Sequence, residues 1–149
     1  MAASFECVTR TTLSRAELFD LSRSIDAHTE SMAHSRETAI AGVTSGLIGM
    51  GEEVTWRAWH FGVPLRMTSR ITHLDAPTSF VDEQVKGPFR YFRHVHDFSE
   101  DAAGTTMTDS IEFAAPFGPL GRAVEKLVLT RYLKKLIETR NEYLVSGTR

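Results

Sequence analysis

The chain has one cysteine among its 149 residues, which excludes an internal disulfide. Cys7 is interpreted as a strand residue and nothing more. No charged-then-apolar leader of the signal-peptide type opens the chain. With no disulfide to form and no such leader, a reducing cytoplasmic location is expected.

Long apolar runs and an excess of positive charge are also missing. No stretch of 18 or more apolar residues occurs, so we expect no transmembrane segment. The 17 basic residues are balanced by 19 acidic ones, and no zinc-finger or RNA-binding signature is present. Nucleic acid is therefore not expected as a partner.

The chain contains no internal repeat, low-complexity tract or linker rich in proline and serine. A chain of this length buries roughly 70% of the surface that its unfolded form exposes, enough for one core. Residues 1–149 are predicted to form a single domain.

The first third of the chain predicts a strand, a helix and a second strand. Residues 4–11 alternate as a strand does, and Ser14 with Glu17 forms a capping box ahead of a short helix. A strand is expected over 38–44. The loop 45–51 carries three glycines and is either an apolar-tipped flap at a pocket mouth or an ordinary hairpin connection.

Strand-length segments then follow one another with turn residues between them. They span residues 53–61, 65–74, 79–86, 90–98 and 105–114. The connections are short, so neighbouring strands must pair antiparallel.

The C-terminal part of the chain has a helical period and predicts a helix of about seven turns. Its apolar positions are Leu120, Val124, Leu127, Val128, Tyr132, Leu136, Ile137, Tyr143 and Leu144. Lys134, Lys135 and Arg140 are interpreted as its solvated face. The concave face of the sheet is the large apolar surface against which this helix can pack, which predicts an α+β fold with the sheet wrapped around the helix.

Side-chain alternation predicts which strand residues face that interior. The inward sets are Val54, Trp56, Ala58 and His60; Leu65, Met67 and Ile71; Phe80, Asp82 and Gln84; Phe92, His94, His96 and Phe98; and Met107, Asp109, Ile111 and Phe113. A bulge would instead turn Val81, Glu83 and Val85 inward. A few polar groups converging in an apolar concavity are typical of a small-molecule site. The predicted ligand contacts are Trp56, His60, Met67, Asp82, Gln84, Phe92, His94, His96, Met107, Asp109, Ile111 and Val128.

Several segments resemble bacterial members of the SRPBCC superfamily, which groups START lipid-transfer domains, the major birch pollen allergen and polyketide cyclase/dehydrase-like proteins. They are GVTSGLIGMG (42–51), VTWRAWHFG (54–62), FVDEQVKGPF (80–89), FRHVHDF (92–98), TMTD (106–109) and PFGPL (116–120). The resemblance implies the helix-grip fold, with two short helices after the first strand and an internal cavity. It also implies binding of lipids, sterols or aromatic polyketides, which some members cyclise or dehydrate. It supplies no catalytic motif.

Three functions are compatible with these residues. The one expected is binding or carrying of an apolar small molecule, without a cofactor. The first alternative is a cyclase or dehydratase in which His94 or His96 pairs with Asp109 as a general acid and base. The second is an interaction protein whose cavity is filled by side chains.

Two further groups of residues have alternative interpretations. His94 and His96, with His60 or Asp109, have metal-ligand chemistry, but the H-x-H spacing alone is weak evidence and no metal site is predicted. Trp59 and Phe61 are expected on the outer face of the sheet, where they would mark a homodimer contact or a membrane-surface patch.

Overall fold

The computed structural model describes residues 3–147, and its frame is a curved, seven-stranded antiparallel sheet. The strands are β1 (Ala3–Thr11), β2 (Thr38–Gly42), β3 (Glu53–His60), β4 (Val63–Asp75), β5 (Ser79–Lys86), β6 (Tyr91–Asp101) and β7 (Gly104–Ala114). They lie in the order β1-β7-β6-β5-β4-β3-β2. The predicted antiparallel pairing of neighbouring strands is confirmed, because each strand from β2 to β6 pairs with the next along the chain.

Two hairpins are tighter than predicted. Phe61 and Gly62, both at positive φ, make a two-residue turn between β3 and β4, where the sequence suggested a turn over 62–64. The loop expected over 99–104 is largely strand, since β6 and β7 stay paired up to Asp101 and Gly104. Gly104 is required there: a Cβ would lie 2.1 Å from the Thr11 carbonyl oxygen.

Two short helices, α1 (Arg15–Ser22) and α2 (Ile25–Ser31), connect β1 to β2, with a 3₁₀ turn at Ala33–Ser35 after them. The predicted N-cap of α1 is confirmed, because Ser14 accepts a hydrogen bond from the Glu17 amide. Helix α2 begins in the same way, with the Ser24 side chain accepting from the Ala27 amide.

A long C-terminal helix follows β7 and packs against the concave side of the sheet. It consists of α3 (Gly118–Val124), a π-helical turn (Glu125–Leu129), α4 (Thr130–Glu142) and a second π-helical turn (Tyr143–Gly147). The predicted helix is thus confirmed, with π turns that its period did not indicate. Within residues 3–147, no helix has the length and apolar character needed to cross a membrane.

The apolar stripe predicted for this helix is wrong over its first half. Leu120 is 70% exposed and Leu127 is 76% exposed, whereas Glu125 is 4% exposed. A Glu125 carboxylate oxygen accepts a hydrogen bond from the Ala115 amide at 2.6 Å, which turns that face of the helix toward the chain leaving β7. Gly121 packs beside it, where a Cβ would lie 1.8 Å from the Pro116 carbonyl oxygen. In the second half Leu144 is buried, as predicted.

The main core cluster lies where α1 and α2 cover the sheet. It contains Leu18, Phe19, Ile25, Ile48, Val54, Ile71, Phe80, Phe98 and Met107. The ring of Phe19 meets those of Phe80 and Phe98 edge to face, with centroids 5.4 and 5.3 Å apart. This packed cluster closes one end of the space between sheet and helix.

Candidate functional site: a pocket ending in a buried polar cluster

Two adjoining pockets lie between the sheet and the C-terminal helix. The inner one has a volume of about 170 Å³ and the outer one about 310 Å³. Their shared lining consists of Glu37, Trp56, His60, Met67, Phe92 and Leu133. These side chains lie between the two pockets, which are called here the inner and the outer chamber.

The outer pocket is walled by aromatic and aliphatic side chains. The ring of Phe61 packs against that of Tyr132 at a tilt of 36°, with centroids 4.4 Å apart. The Tyr132 hydroxyl forms a hydrogen bond of 2.7 Å with Nδ1 of His60. Phe61 therefore lines the pocket, and its predicted place on the outer face is wrong, because it belongs to the turn and leans on the helix. Trp59 has the guanidinium of Arg36 4.5 Å from its ring centroid.

The inner pocket ends at a polar cluster built from three neighbouring strands. His94 and His96 lie on the same face of β6, with their rings stacked 3.7 Å apart. Nε2 of His94 hydrogen-bonds to Oδ1 of Asp109 on β7 at 2.7 Å, and Nε2 of His96 to Oδ2 of Asp82 on β5 at 2.7 Å. The ring of Phe80 stacks on His96 at 3.9 Å.

The C-terminal helix contributes two buried polar residues to the same cluster. Asn141 donates from Nδ2 to Oδ2 of Asp109 at 2.7 Å. Nη2 of Arg140 lies 3.8 Å from Oδ1 of Asp109, and neither its Nε nor its Nη2 has a hydrogen-bond partner within the part of the chain that the structure describes. Asp109 is 0% exposed, and its hydrogen bonds to His94 and Asn141 connect the sheet to the C-terminal helix inside the protein.

Burial and neighbouring charges shift the pKa values of His94 and His96 in opposite directions. Burial and the neighbouring His96 together lower the pKa of His94 to about 4, against the attraction of Asp109 and Asp82. Burial also acts to lower the pKa of His96, but the carboxylates of Asp109 and Asp82 outweigh it and raise this pKa above 6.5.

Both carboxyl groups remain ionised despite their burial. Burial acts to raise the pKa of Asp109, but the Arg140 charge and the two histidines hold it well below 3.8. The hydrogen bond from His96 and the histidine charges likewise lower the pKa of Asp82 against the effect of burial. At neutral pH, two carboxylates thus face Arg140 and His96, while His94 is neutral.

Seven of the predicted ligand contacts line the pockets: Trp56, His60, Met67, Asp82, Phe92, His94 and His96. Asp109 lies behind the two histidines, and Met107 and Ile111 are buried in the sheet. These positions agree with the predicted inward faces of β3, β4, β6 and β7. Phe80 and Asp82 also face inward, as the first of the two arrangements for β5 predicts. A role in ligand binding stays a prediction for all of them.

Two predicted contacts lie elsewhere. Gln84 closes the β5–β6 connection, since its Nε2 donates to the Phe89 carbonyl at 2.8 Å and its Oε1 accepts from the Phe89 amide at 3.2 Å. Val128 is 44% exposed and lines neither chamber, because it belongs to the half of the helix whose apolar residues face outward.

Several pocket residues were not predicted from the sequence, among them Arg140 and the pair of His28 and Glu37. Arg140, interpreted as solvated, is 3% exposed and lines the inner pocket. The signal was present, because Arg140 lies three residues after Ile137 and four before Leu144, on the buried face of the helix. The pair of His28 Nε2 and Glu37 Oε1, 2.7 Å apart, also lines the inner pocket.

The glycine-rich loop is tied to the helices by backbone hydrogen bonds. The Ile48 amide donates to the Arg23 carbonyl at 3.2 Å, and the Ile25 amide donates to the Gly46 carbonyl at 2.9 Å. Ile48 itself is 4% exposed and lines the inner pocket. This anchoring favours an ordinary hairpin connection over a flap at the pocket mouth.

Solved structures match this chain over almost its whole length. TTHA0849 from Thermus thermophilus has a TM-score of 0.76 at 12% identity, covering 99% of this chain and 100% of that one. Ms6760 from Mycobacterium smegmatis has 0.72 at 16%, covering 98% and 92%. The major latex-like protein 151 of Panax ginseng has 0.65 at 13%, covering 97% and 98%. The chain has the helix-grip fold.

The likeness to these helix-grip proteins is a likeness of architecture. No family model and no curated protein sequence matches the chain. The helix-grip fold agrees with the resemblance to the SRPBCC superfamily and confirms the predicted fold class. Function has to be argued from the site itself.

Proposed function

We propose that the chain binds or carries an apolar small molecule of the size and character of a lipid, a sterol or an aromatic polyketide. The observation that carries this proposal is the pair of adjoining chambers, which have mostly apolar walls and of which the inner one ends at a buried polar cluster. Small-molecule sites commonly combine an apolar lining with a few convergent polar groups. A cytoplasmic location belongs to the same proposal.

The two chambers suggest how such a ligand is oriented. The apolar body occupies the outer chamber of about 310 Å³, between Phe89 on the sheet side and Leu133 on the helix. A single polar end that can donate a hydrogen bond, a hydroxyl, reaches the inner chamber and meets the acceptor atoms of Asp82 and His94. Hydrogen bonds from that end then fix the direction in which the ligand enters.

Native mass spectrometry of protein purified from its own host, with organic extraction of what co-purifies, tests this proposal. We expect one apolar molecule per chain. We also expect members of a library of lipids, sterols and polyphenols to raise the melting temperature of the emptied protein.

A blocking variant makes the test specific to the pocket. Leu133 lines both chambers, so Leu133→Trp should fill their junction and abolish binding, while Leu127→Trp on the exposed face should bind normally. An empty native protein that no library member stabilises would contradict the proposal and favour an interaction protein. So would unchanged binding by Leu133→Trp.

A cyclase or dehydratase is the second candidate, favoured by the hydrogen bond between His94 and Asp109 beside the inner chamber. Such a pair can move a proton beside a carbonyl group. The enzyme predicts turnover with a bell-shaped pH profile that His94→Gln abolishes while ligand binding persists. A carrier predicts no turnover at any pH.

A further inference from the structure

Three side chains at the inner end of the pocket bring potential metal-ligand atoms close together. An oxygen of Asp82 and one ring nitrogen each of His94 and His96 all lie within 4.8 Å of one another. Oδ2 of Asp82 is 2.7 Å from Nε2 of His96 and 4.0 Å from Nδ1 of His94. The two histidines come from one strand and the carboxylate from its neighbour, so the sheet holds all three in place.

We propose that Asp82, His94 and His96 bind a divalent transition-metal ion such as Zn²⁺. Two imidazoles and one carboxylate are a donor set that suits such ions, and three protein ligands leave a position open. Bonds of about 2.0–2.1 Å in a tetrahedron place neighbouring ligand atoms about 3.3 Å apart. The distances of 2.7 and 4.0 Å lie on either side of this spacing, and the stacked rings of His94 and His96 must rotate to bring both lone pairs onto one ion.

The direction of the hydrogen bonds prepares this site. An ionised Asp109 only accepts, so His94 donates from Nε2 and leaves the lone pair of Nδ1 facing Asp82. This lone pair and Oδ2 of Asp82, which also accepts a hydrogen bond from Nε2 of His96, lie 4.0 Å apart. A cation placed there interacts favourably with both.

Asp109 acts as the outer support of the site. It holds His94 through Nε2, and its Oδ1 lies 3.2 Å from Nδ1 of His96, the ring atom remote from Asp82. Asn141 donates to its other oxygen and fixes its orientation. Imidazoles that bind metals usually donate their second nitrogen to a carboxylate in this way.

The local charge also favours a divalent cation. With both histidines neutral, as metal ligation requires, Asp82, Asp109 and Arg140 leave one negative charge in a buried space. A divalent ion turns this into one positive charge, which an oxygen anion from the pocket can neutralise at the open position. The Asp82 side chain is 23% exposed and lines the inner chamber, so the ion has a route in.

The test titrates the full chain, first stripped with a chelator, with ZnCl₂ alone by isothermal titration calorimetry. Cobalt(II) absorption then reports the coordination geometry. We expect one ion per chain. His94→Gln and Asp82→Asn should weaken binding by more than the about 10–100-fold typical of losing an outer support.

Two exposed residues provide matched controls. Asp97→Asn follows His96 in sequence, and His73→Gln changes an imidazole on β4, and both should bind as the parent does. Because only the metal is added, a failed titration is distinguishable from failure to find an organic ligand. No stoichiometric ion on the parent chain, or equal affinity in His94→Gln, overturns the proposal.

Crystals of the unchanged chain soaked in ZnCl₂ keep the test valid if the pocket variants fail to fold. We expect an anomalous peak about 2.0–2.2 Å from Oδ2 of Asp82, Nδ1 of His94 and Nε2 of His96. A peak at the pair of His28 and Glu37, or at surface residues alone, contradicts the assignment.

Discussion

His94 reaches Asp109 along a diagonal of the sheet, because the residue directly opposite Asp109 in the register is His96. The same crossing occurs on the other side of β6, where Asp82 lies opposite His94 but binds His96. The two stacked imidazoles therefore each contact both carboxylates. This network makes the protonation of one histidine depend on that of the other.

The stability of the metal-free protein should depend on pH through this pair. The pKa of His94 is lowered to about 4, so between pH 6.5 and 4 the His94 imidazole is protonated in the unfolded chain and neutral in the folded one. The free energy of unfolding should therefore fall as the pH is lowered through this window. Each unit of pKa difference corresponds to about 1.4 kcal/mol. Asp82, Asp109 and Arg140 are the other charged groups facing the pair.

His96 acts in the opposite direction. Its pKa is raised in the folded protein, so its contribution is complete below pH 6.5 and disappears as the pH rises through the folded value. Urea unfolding at successive pH values should show a maximum near pH 6.5. His94→Gln should reduce the slope on the acid side, whereas the exposed His73→Gln should keep it. An unchanged acid slope in His94→Gln would show that His94 is protonated in the folded state.

Much of this site could be predicted from the sequence. Alternation along β6 and β7 placed His94, His96 and Asp109 on the concave face, because a strand that buries one face has a fixed side-chain period. For β5 the sequence allowed two inward-facing sets of residues. The structure has the set that begins with Phe80 and Asp82 facing inward. The register between β4 and β5 shifts twice, once with an extra residue on β5 at Val85 and once with an extra residue on β4 at Thr72.

The buried face of the first half of the C-terminal helix could not be predicted from its periodicity. Burial of Glu125 and exposure of Leu127 depend on one hydrogen bond to Ala115 and on a π turn, which change the face that the helix presents. Arg140 was assigned to solvent by its charge alone. Its spacing from Ile137 and Leu144 would have placed it on the buried face, where Asp109 is its partner.

Removing the Arg140 guanidinium should be costly. Arg140→Met leaves the buried Asp109 with less compensating charge, and breaking a buried pair in this way typically costs about 3–5 kcal/mol. Adding Asp109→Asn in the same chain should recover part of this loss, since no uncompensated carboxylate then remains. Urea unfolding of the two single variants and the double variant measures the coupling.

The exposed Arg131 on the same helix is the control for this cycle, and Arg131→Met should change stability by no more than about 0.5 kcal/mol. If Arg140→Met costs as little as Arg131→Met, Asp109 does not depend on the guanidinium.

Cys7 should resist alkylation in the folded protein. It is 5% exposed on β1, and burial with the nearby charge of Asp109 raises the pKa of its thiol to about 11. At pH 8, iodoacetamide should modify it at least about 100-fold more slowly in buffer than in 8 M urea, because the thiolate is the reactive form. Intact mass spectrometry measures the modified fraction.

Val8 provides a matched site, since it neighbours Cys7 on β1 and is 65% exposed. A chain with Cys7→Ser and Val8→Cys should be modified equally fast with and without urea. Rapid labelling of native Cys7 would contradict its burial.

Glu125 should anchor the start of the C-terminal helix. Glu125→Ala removes the acceptor of the Ala115 amide and leaves a buried N–H group unpaired, at a cost of about 1–3 kcal/mol in the free energy of unfolding. Glu125→Gln keeps a side-chain oxygen at that position and should cost less. Lys126→Ala, on the exposed side of the same π turn, should change stability by less than about 0.5 kcal/mol. Urea unfolding of the three variants separates these effects, and an equal cost for Glu125→Ala and Lys126→Ala would show that this hydrogen bond does not set the helix face.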